Sequence, residues 1–399
     1  MFLEVLLAIT CGMLLGIITG LTPGIHINLI SVFLVSLSPL LFRWLSPITV
    51  ATAVISMAVT HTFLDSIPSV FLGAPDSDQA LNVLPGHRLL LKGRGYEAVM
   101  LTVIGSLGGL IMSVALMPLL YFIVSPIYMS IRNYIGYAIL AVVIFLIVRE
   151  KKSRPWAIAV YAISGCLGYI ILNKDFTEPL FPLFSGLFGV SILLNSLKDK
   201  TSIPNQSSRD IDVGKKESLF AIATSVVMGW MASFMPGLGS SQAAIIGTQI
   251  NRKMSEKGFI VMVGGLNTVN MVLSLVTMFA LGKARNGAIV AVMKIATDVT
   301  LQGFLVFFSA VLICGGIATI LASQLTKVFS KVIVKLNYMW LCIGIIALIT
   351  VLVAIISKPI GLLILLTATA LGFIPLLTGI AKNHLMGCLL VPVMIYFLF

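Results

Sequence analysis

GLTPGIHINL (Gly20–Leu29) and SFMPGLGSSQ (Ser233–Gln242) each place Pro-Gly inside a long apolar stretch. From Val5 to Phe42, and again from Ser218 to Asn251, no Asp, Glu, Lys or Arg occurs. One membrane span requires only about 20 residues, so each stretch is long enough for two short helices with Pro-Gly at the bend. The expected arrangement is a re-entrant hairpin, made twice, whose tip reaches the bilayer interior. For the second hairpin the flanks GKKE and RKMSEK are both charged, which places both its ends on one side of the membrane.

Composition fixes the setting. The 399 residues are 59% hydrophobic and 10% charged, too apolar for a soluble domain of this size. Strict apolar/polar alternation is absent, which argues against a β-barrel. The net charge of +12 sits mostly in short loops between apolar runs; this is the positive-inside pattern and not a nucleic-acid footprint, so no nucleic-acid partner is expected. Cys11, Cys166, Cys314, Cys342 and Cys388 all lie in apolar runs without a C-x-x-C pair, and read as packing residues. The N-terminus carries Glu4 and no Lys or Arg before its apolar run, a poor secretory signal, and is read as part of the fold.

The chain is internally repeated. PGIHIN at Pro23 matches PGLGSS at Pro236, and FLGAPD around Gly73 matches ALGKAR around Gly282. SLGGLI at Gly108-Gly109 matches ICGGIA at Gly315-Gly316. Asn133-Tyr134 matches Asn337-Tyr338, and Gly168 matches Gly372. Across these anchors the offset drifts only from 213 (236 − 23) to 204 (372 − 168). Five matches in order indicate a duplication. The hydrophilic stretch Lys198–Glu217 separates the copies as a flexible linker. In the first copy, spans are expected near 98–124, 133–149, 156–172 and 180–197. The basic loops HRLLLKGRG (87–95) and REKKSR (149–154) then fall in the cytoplasm. The basic loop of the second copy, KVFSKVIVK (327–335), matches a first-copy loop that lies outside. Placing it inside turns the second copy upside down, with Lys283, Arg285 and Lys294 left near the outer side.

The expected fold is an all-α polytopic membrane protein of two inverted-topology repeats, each with a re-entrant Pro-Gly hairpin, a broken helix and about four further spans. Residues 1–197 form the first repeat, 198–217 the cytoplasmic linker and 218–399 the second repeat. Unpaired backbone at membrane depth is tolerated only inside protein or beside a wet cavity. A helix starting at each bend aims N–H groups and partial positive charge into that cavity. Two such ends, brought together by inverted repeats, form an anion site at the midplane.

The residues at these bends resemble a family, the large membrane subunit of the tripartite tricarboxylate transporters. MPGLGSSQAAIIG (235–247) is similar to its second Pro-Gly motif. SIPSVFLGAPDSDQALNVLPGHRLLLKGRG (66–95) and GSLGGL (105–110) are similar to its Ile-Pro, Leu-Gly-x-Pro and basic-Gly pattern. The resemblance implies a cytoplasmic-membrane permease for carboxylates that works with a solute-binding protein and a small membrane subunit. The first motif departs from the family's Pro-Gly-Leu-Gly-Pro by having His26 and Asn28 after Pro23-Gly24.

Candidate substrate-binding residues are Pro23, Gly24, His26 and Asn28 at the first bend, and Pro236, Gly237, Gly239, Ser240, Ser241 and Gln242 at the second. His26 either donates to an anion and carries a proton or is satisfied by a nearby carbonyl. The short polar side chains either bind substrate or join helices. His61 and Asp65, four apart in AVTHTFLD, form a local pair or a coupling site for H+ or Na+. Asp76 and Asp78 at the first break and Lys283 and Arg285 at the repeat-equivalent one are candidates for cross-repeat pairing or a clamp on substrate, the bland reading being interfacial charge. Asn267 and Asn270 share a helix face before the second break. No zinc spacing, nucleophile elbow or phosphate loop occurs, so neither catalysis, a metal nor a cofactor is expected. The leading reading is a secondary transporter of small organic anions in the cell membrane, in contact with membrane lipids. The alternative is a translocator of polyprenyl phosphate, since helix N-termini suit a lipid phosphate as well.

Overall fold

The computed structural model describes residues 2–22, 27–73, 83–174, 176, 179–197, 204–207, 211, 213–235, 239–250, 254–334 and 338–398. The bends at 23–26 and 236–238 and the acidic segment at 74–82 lie outside them, and of Asn28 and Gln242 only the backbone is described.

The first half forms α1 (Phe2–Leu21), α2 (Ile27–Leu41), α3 (Pro47–Leu64), α4 (Ser66–Phe71), α5 (Val83–Leu91), α6 (Gly95–Ile131), α7 (Ile135–Val148) and α8 (Arg154–Leu172). It ends in α9 (Leu180–Phe184), a π-helical stretch Ser185–Val190 and α10 (Ser191–Ser196). The second half forms α11 (Lys215–Phe234), α12 (Ser240–Ile250), α13 (Glu256–Leu281), α14 (Gly287–Ile295), α15 (Leu301–Ile333), α16 (Tyr338–Ile356), α17 (Lys358–Thr378) and, after a 3-10 turn at Lys382–Met386, α18 (Gly387–Leu398). The same order of elements appears twice: α1, α2, α3–α4, α5, α6, α7, α8 and α9–α10 correspond to α11 through α18. Among the described residues eight helices are long and apolar enough to cross a membrane, as a polytopic α-helical membrane protein requires.

Local chemistry sets the ends. Ser46 caps α3, accepting from the Thr49 N–H, with Pro47 in the first turn, where its missing N–H costs nothing. Ser255 caps α13 and Thr300 caps α15 in the same way. At the repeat-equivalent breaks, Gly73 (φ 63°) and Gly282 (φ 61°) both take the left-handed conformation that glycine adopts without strain.

Contacts fix the directions of the helices. Gly12, Gly16 and Gly20 of α1 lie against Ala53, Met57 and Leu64 of α3, so these two helices run parallel. In the second half, Glu217 accepts from the Ser255 N–H, Gly229 meets Val269, and Ser233 lies 3.0 Å from Thr277 through their hydroxyls, so α11 and α13 also run parallel. Two consecutive parallel helices require the chain to come back between them. α12 does this: its Ser240 lies by Asn270 and its Gly247 by Met262, antiparallel to α13. At 1.5 Å per residue the 11 residues of α12 extend about 16 Å, too short to cross a bilayer core of about 30 Å. α11 and α12 are therefore antiparallel neighbours, the two arms of a helical hairpin.

The halves exchange partners. α3 packs on α15 and α13 on α6; α8 packs on α18, and α17 on the π-helical stretch. Gly105 and Gly109 of α6 press on Val261 and Val269 of α13, which run parallel to it. Tyr96 of α6 is 3.2 Å from Ser323 of α15, and Leu110 packs on Gly315, so the corresponding helices α6 and α15 run antiparallel. Small residues at these crossings let backbones approach closely, which is what holds helices together where lipid offers no hydrophobic drive.

One end of the bundle gathers the basic loops. Arg88 pairs with Glu256 at 3.4 Å and Lys257 with Glu97 at 3.2 Å; Gln206 of the linker accepts from the Gly95 N–H at 2.8 Å, and Arg149 bonds Gln249. Phe329 of α15 packs against Phe71 at this same end, with tilted rings whose centroids are 6.0 Å apart. Lys327 and Lys331 therefore share the end that holds Arg149–Arg154.

Candidate functional site: a polar seam between the two hairpins

The deepest helices are α3 and α13. The span 47–71 is 83% buried and that of α13 is 94% buried, so neither faces lipid along most of its length. Polar groups on them must find protein partners, because a carboxylate or amide without one is costly in such surroundings. They find them in each other. Asp65 stands at the C-terminal end of α3, where the Asp65 N–H closes the helix on the His61 carbonyl. Its Oδ2 accepts from Nδ2 of Asn267 at 2.6 Å and lies 4.0 Å from Nε2 of His61. The other ring nitrogen of His61, Nδ1, is 3.1 Å from the Thr19 hydroxyl near the end of α1. One turn along, Thr268 donates to the Thr62 hydroxyl at 3.2 Å, directly between α3 and α13.

Asn270, three residues after Asn267, donates to Ser240 Oγ at 3.4 Å, the first residue of α12. The groups thus line up as a seam: Thr19 on α1, His61 and Asp65 at the end of α3, Asn267 and Asn270 one turn apart on α13, Ser240 at the start of α12. At its far end the Gly239 carbonyl accepts from the Ala243 N–H, which starts α12 immediately after the bend. Ser240 and Ser241 are buried there.

The second bend is also held from outside. The Arg285 Nε donates to the Phe234 carbonyl at 3.0 Å, the last residue of α11. The Lys283 ammonium lies 3.5 Å from the Tyr128 hydroxyl and 5.0 Å from the ring centre, a cation–π arrangement that joins the end of α13 to α6. Both cations thus sit by the hairpin at the end away from the basic loops.

Of the residues singled out from sequence, the structure brings together His61, Asp65, Asn267, Asn270 and Ser240, with Gly239 and Ser241 adjoining, and puts Lys283 and Arg285 at the outer rim of the same hairpin. Pro23, Gly24, His26, Asp76, Asp78, Pro236 and Gly237, and the side chains of Asn28 and Gln242, lie outside the described residues. Sequence reasoning missed Thr19, Thr62 and Thr268. The available signal was a threonine recurring on the side of an apolar helix that also carries His, Asp or Asn.

Two helical halves that exchange packing partners, with hydrogen-bonding groups of both collected where α3 meets α13, make a multi-pass membrane protein. Residues 6–387 match the model of the tripartite tricarboxylate transporter TctA family, and the chain belongs to that family. It is a tricarboxylate-type transporter protein by that membership. It is also 31% identical over 404 residues, covering 98% of this chain and 99% of the relative, to the uncharacterized protein MJ1079 of Methanocaldococcus jannaschii. No solved structure matches the chain.

Proposed function

We propose that the protein is a secondary transporter of small di- and tricarboxylate-like anions, which it binds between its two Pro-Gly hairpins near the membrane midplane and moves by alternating access. The observation that carries this reading is the seam running from Thr19 through Asp65 and Asn267 to Ser240, because it links the two broken elements through the most buried helices of both halves. Helix ends at the bends supply N–H groups to the anion, with Asn28, Ser240, Ser241 and Gln242 as side-chain donors and Gly24, Gly237 and Gly239 allowing close approach. Pro23 and Pro236 begin the breaks. His26 adds a full charge when protonated, and an ordinary imidazole titrates between about pH 5 and 8. His61 and Asp65 serve the coupling ion, H+ or Na+.

The antiparallel course of α6 and α15 supports reading the halves as inverted repeats, and the basic end then faces the cytoplasm of the cell that bears the protein in its membrane. Family membership favours carboxylates over a lipid phosphate. It also points to a solute-binding protein and a small membrane subunit as partners. The test is uptake of labelled citrate into proteoliposomes with those partners present. Ser240→Ala should weaken binding without altering its pH profile, whereas His26→Ala should weaken it and flatten the profile between about pH 5 and 8. A His26→Ala protein that is folded and unchanged in both respects makes His26 a packing residue.

A further inference from the structure

At the basic end lies an open cleft of about 1030 Å³, lined by α5, the end of α7, the end of α12, the start of α13 and the turn between α17 and α18. Its charged lining is Arg88, Arg149, Lys151 and Lys382 against Glu150 and Glu256, a surplus of two positive charges (4 − 2). Both carboxylates are already engaged. Glu256 pairs with Arg88 at 3.4 Å. Glu150 accepts from the backbone N–H groups of Lys152 at 2.9 Å and Ala381 at 3.1 Å, and lies 3.0 Å from Nε2 of His384. Lys382 is different. Its Nζ is shut off from solvent and has no hydrogen-bond partner among the described residues. Burial without a partner pushes the Lys382 amine down to about 7, so the charged form is favoured there only when an anion is beside it.

The position of this cavity relates it to the seam. Thr248 and Gln249 line it, and they stand on the same short helix that begins at Ser240. The nine steps from Ser240 to Gln249 correspond to about 14 Å along the helix axis. We infer that this cavity is a second anion site, an inner vestibule in which Lys382 receives a carboxylate group of a small polycarboxylate on its way between the hairpins and the basic face. The inference rests on the transport reading and extends it to a particular place. The breadth of the cavity and the spread of its cations suit an anion with two or three carboxylates, one held by Lys382 and the others by Arg149 and Lys151.

The test is local to the cavity. Ala381 is exposed and adjoins Lys382 on the lining. In the full chain in zwitterionic nanodiscs, Ala381→Cys is labelled with a maleimide, and the rate at position 381 is followed by mass spectrometry. Citrate should slow that labelling about tenfold or more. Adding Lys382→Gln should abolish the protection, and adding Lys382→Arg should restore it, since a charged hydrogen bond carries about that factor. If Lys382→Gln does not survive purification, Arg149→Gln in the same cavity gives the comparison. Labelling indifferent to citrate, while calorimetry still shows citrate binding to the chain, overturns the vestibule and leaves the transport reading standing. No citrate binding by calorimetry overturns both. Protection by inorganic phosphate and not by citrate, or by anionic phospholipid with citrate absent, overturns the assignment to a polycarboxylate.

Discussion

Asp65 is buried, four residues after His61, and hydrogen-bonded to an amide of the other half. Replacing it by Asn keeps the shape and removes the group that can change charge. If it serves the coupling ion, Asp65→Asn should cut gradient-driven citrate uptake by about tenfold or more, the ordinary size of a coupling between two ligands, while citrate–citrate exchange stays within about twofold. Equal loss of both would make Asp65 a structural partner of Asn267. Glu150 offers a stability prediction at the same scale. Burial raises its pKa, but the N–H groups of Lys152 and Ala381 and the neighbouring His384 outweigh that and hold the carboxyl at about 2. A carboxylate with a depressed folded pKa stabilises the fold above its ordinary value, and that contribution is lost as pH falls from about 4.5 towards about 2. The melting temperature of the wild-type chain should therefore fall more steeply than that of Glu150→Gln across this window. Parallel curves would show that the three interactions do not persist in solution.

Between elements, the decisive quantity is the room left at a glycine. A Cβ on Gly105 would meet the Val261 carbonyl oxygen of the parallel helix α13, with no flexible side chain to give way. Gly105→Ala should cost about 1–3 kcal/mol, as forced overpacking does. Gly316 has nothing within 4 Å of its Cβ position, and Gly316→Ala should be neutral or stabilising by about 0.5–1 kcal/mol. Detergent melting of the two variants checks both, and a tolerated Gly105→Ala would mean that α6 and α13 are not in close contact. The same geometry explains what could be read in advance. Gly168 and Gly372, paired from sequence, each lie against a backbone carbonyl, those of Cys388 and Leu187, and Gly73 and Gly282 share a left-handed turn. Only glycine fits such places, which is why these positions stand out in the sequence, and the spans expected at 133–149, 156–172 and 180–197 coincide with α7, α8 and α9–α10 to within two residues, while α6 runs on to Ile131, past the expected 124. Thr19, Thr62 and Thr268 were not legible. Threonines in apolar helices mostly bond the carbonyl one turn back, as Thr60 does with Ser56, and the linear sequence does not distinguish those from the ones that reach another helix.

For the whole molecule, the charge on the loops and the direction of the helices agree. With one end basic and α15 descending to it, single-cysteine labelling should find Lys331→Cys and Lys152→Cys on the same side of the membrane. Labelling of Lys331→Cys from outside intact cells, with Lys152→Cys protected, would remove the case for inversion. The exchange of partners, α3 with α15 and α13 with α6, has a further consequence for biogenesis. Each half covers its deepest helix on one side only, α1 on α3 and α11 on α13, and the other side is covered by the opposite half, so a half made alone would offer the membrane a partly uncovered row of glycines, threonines and a carboxylate. Cut at the linker and made from separate genes, the two pieces should each be degraded when expressed singly and should persist, associated, when expressed together.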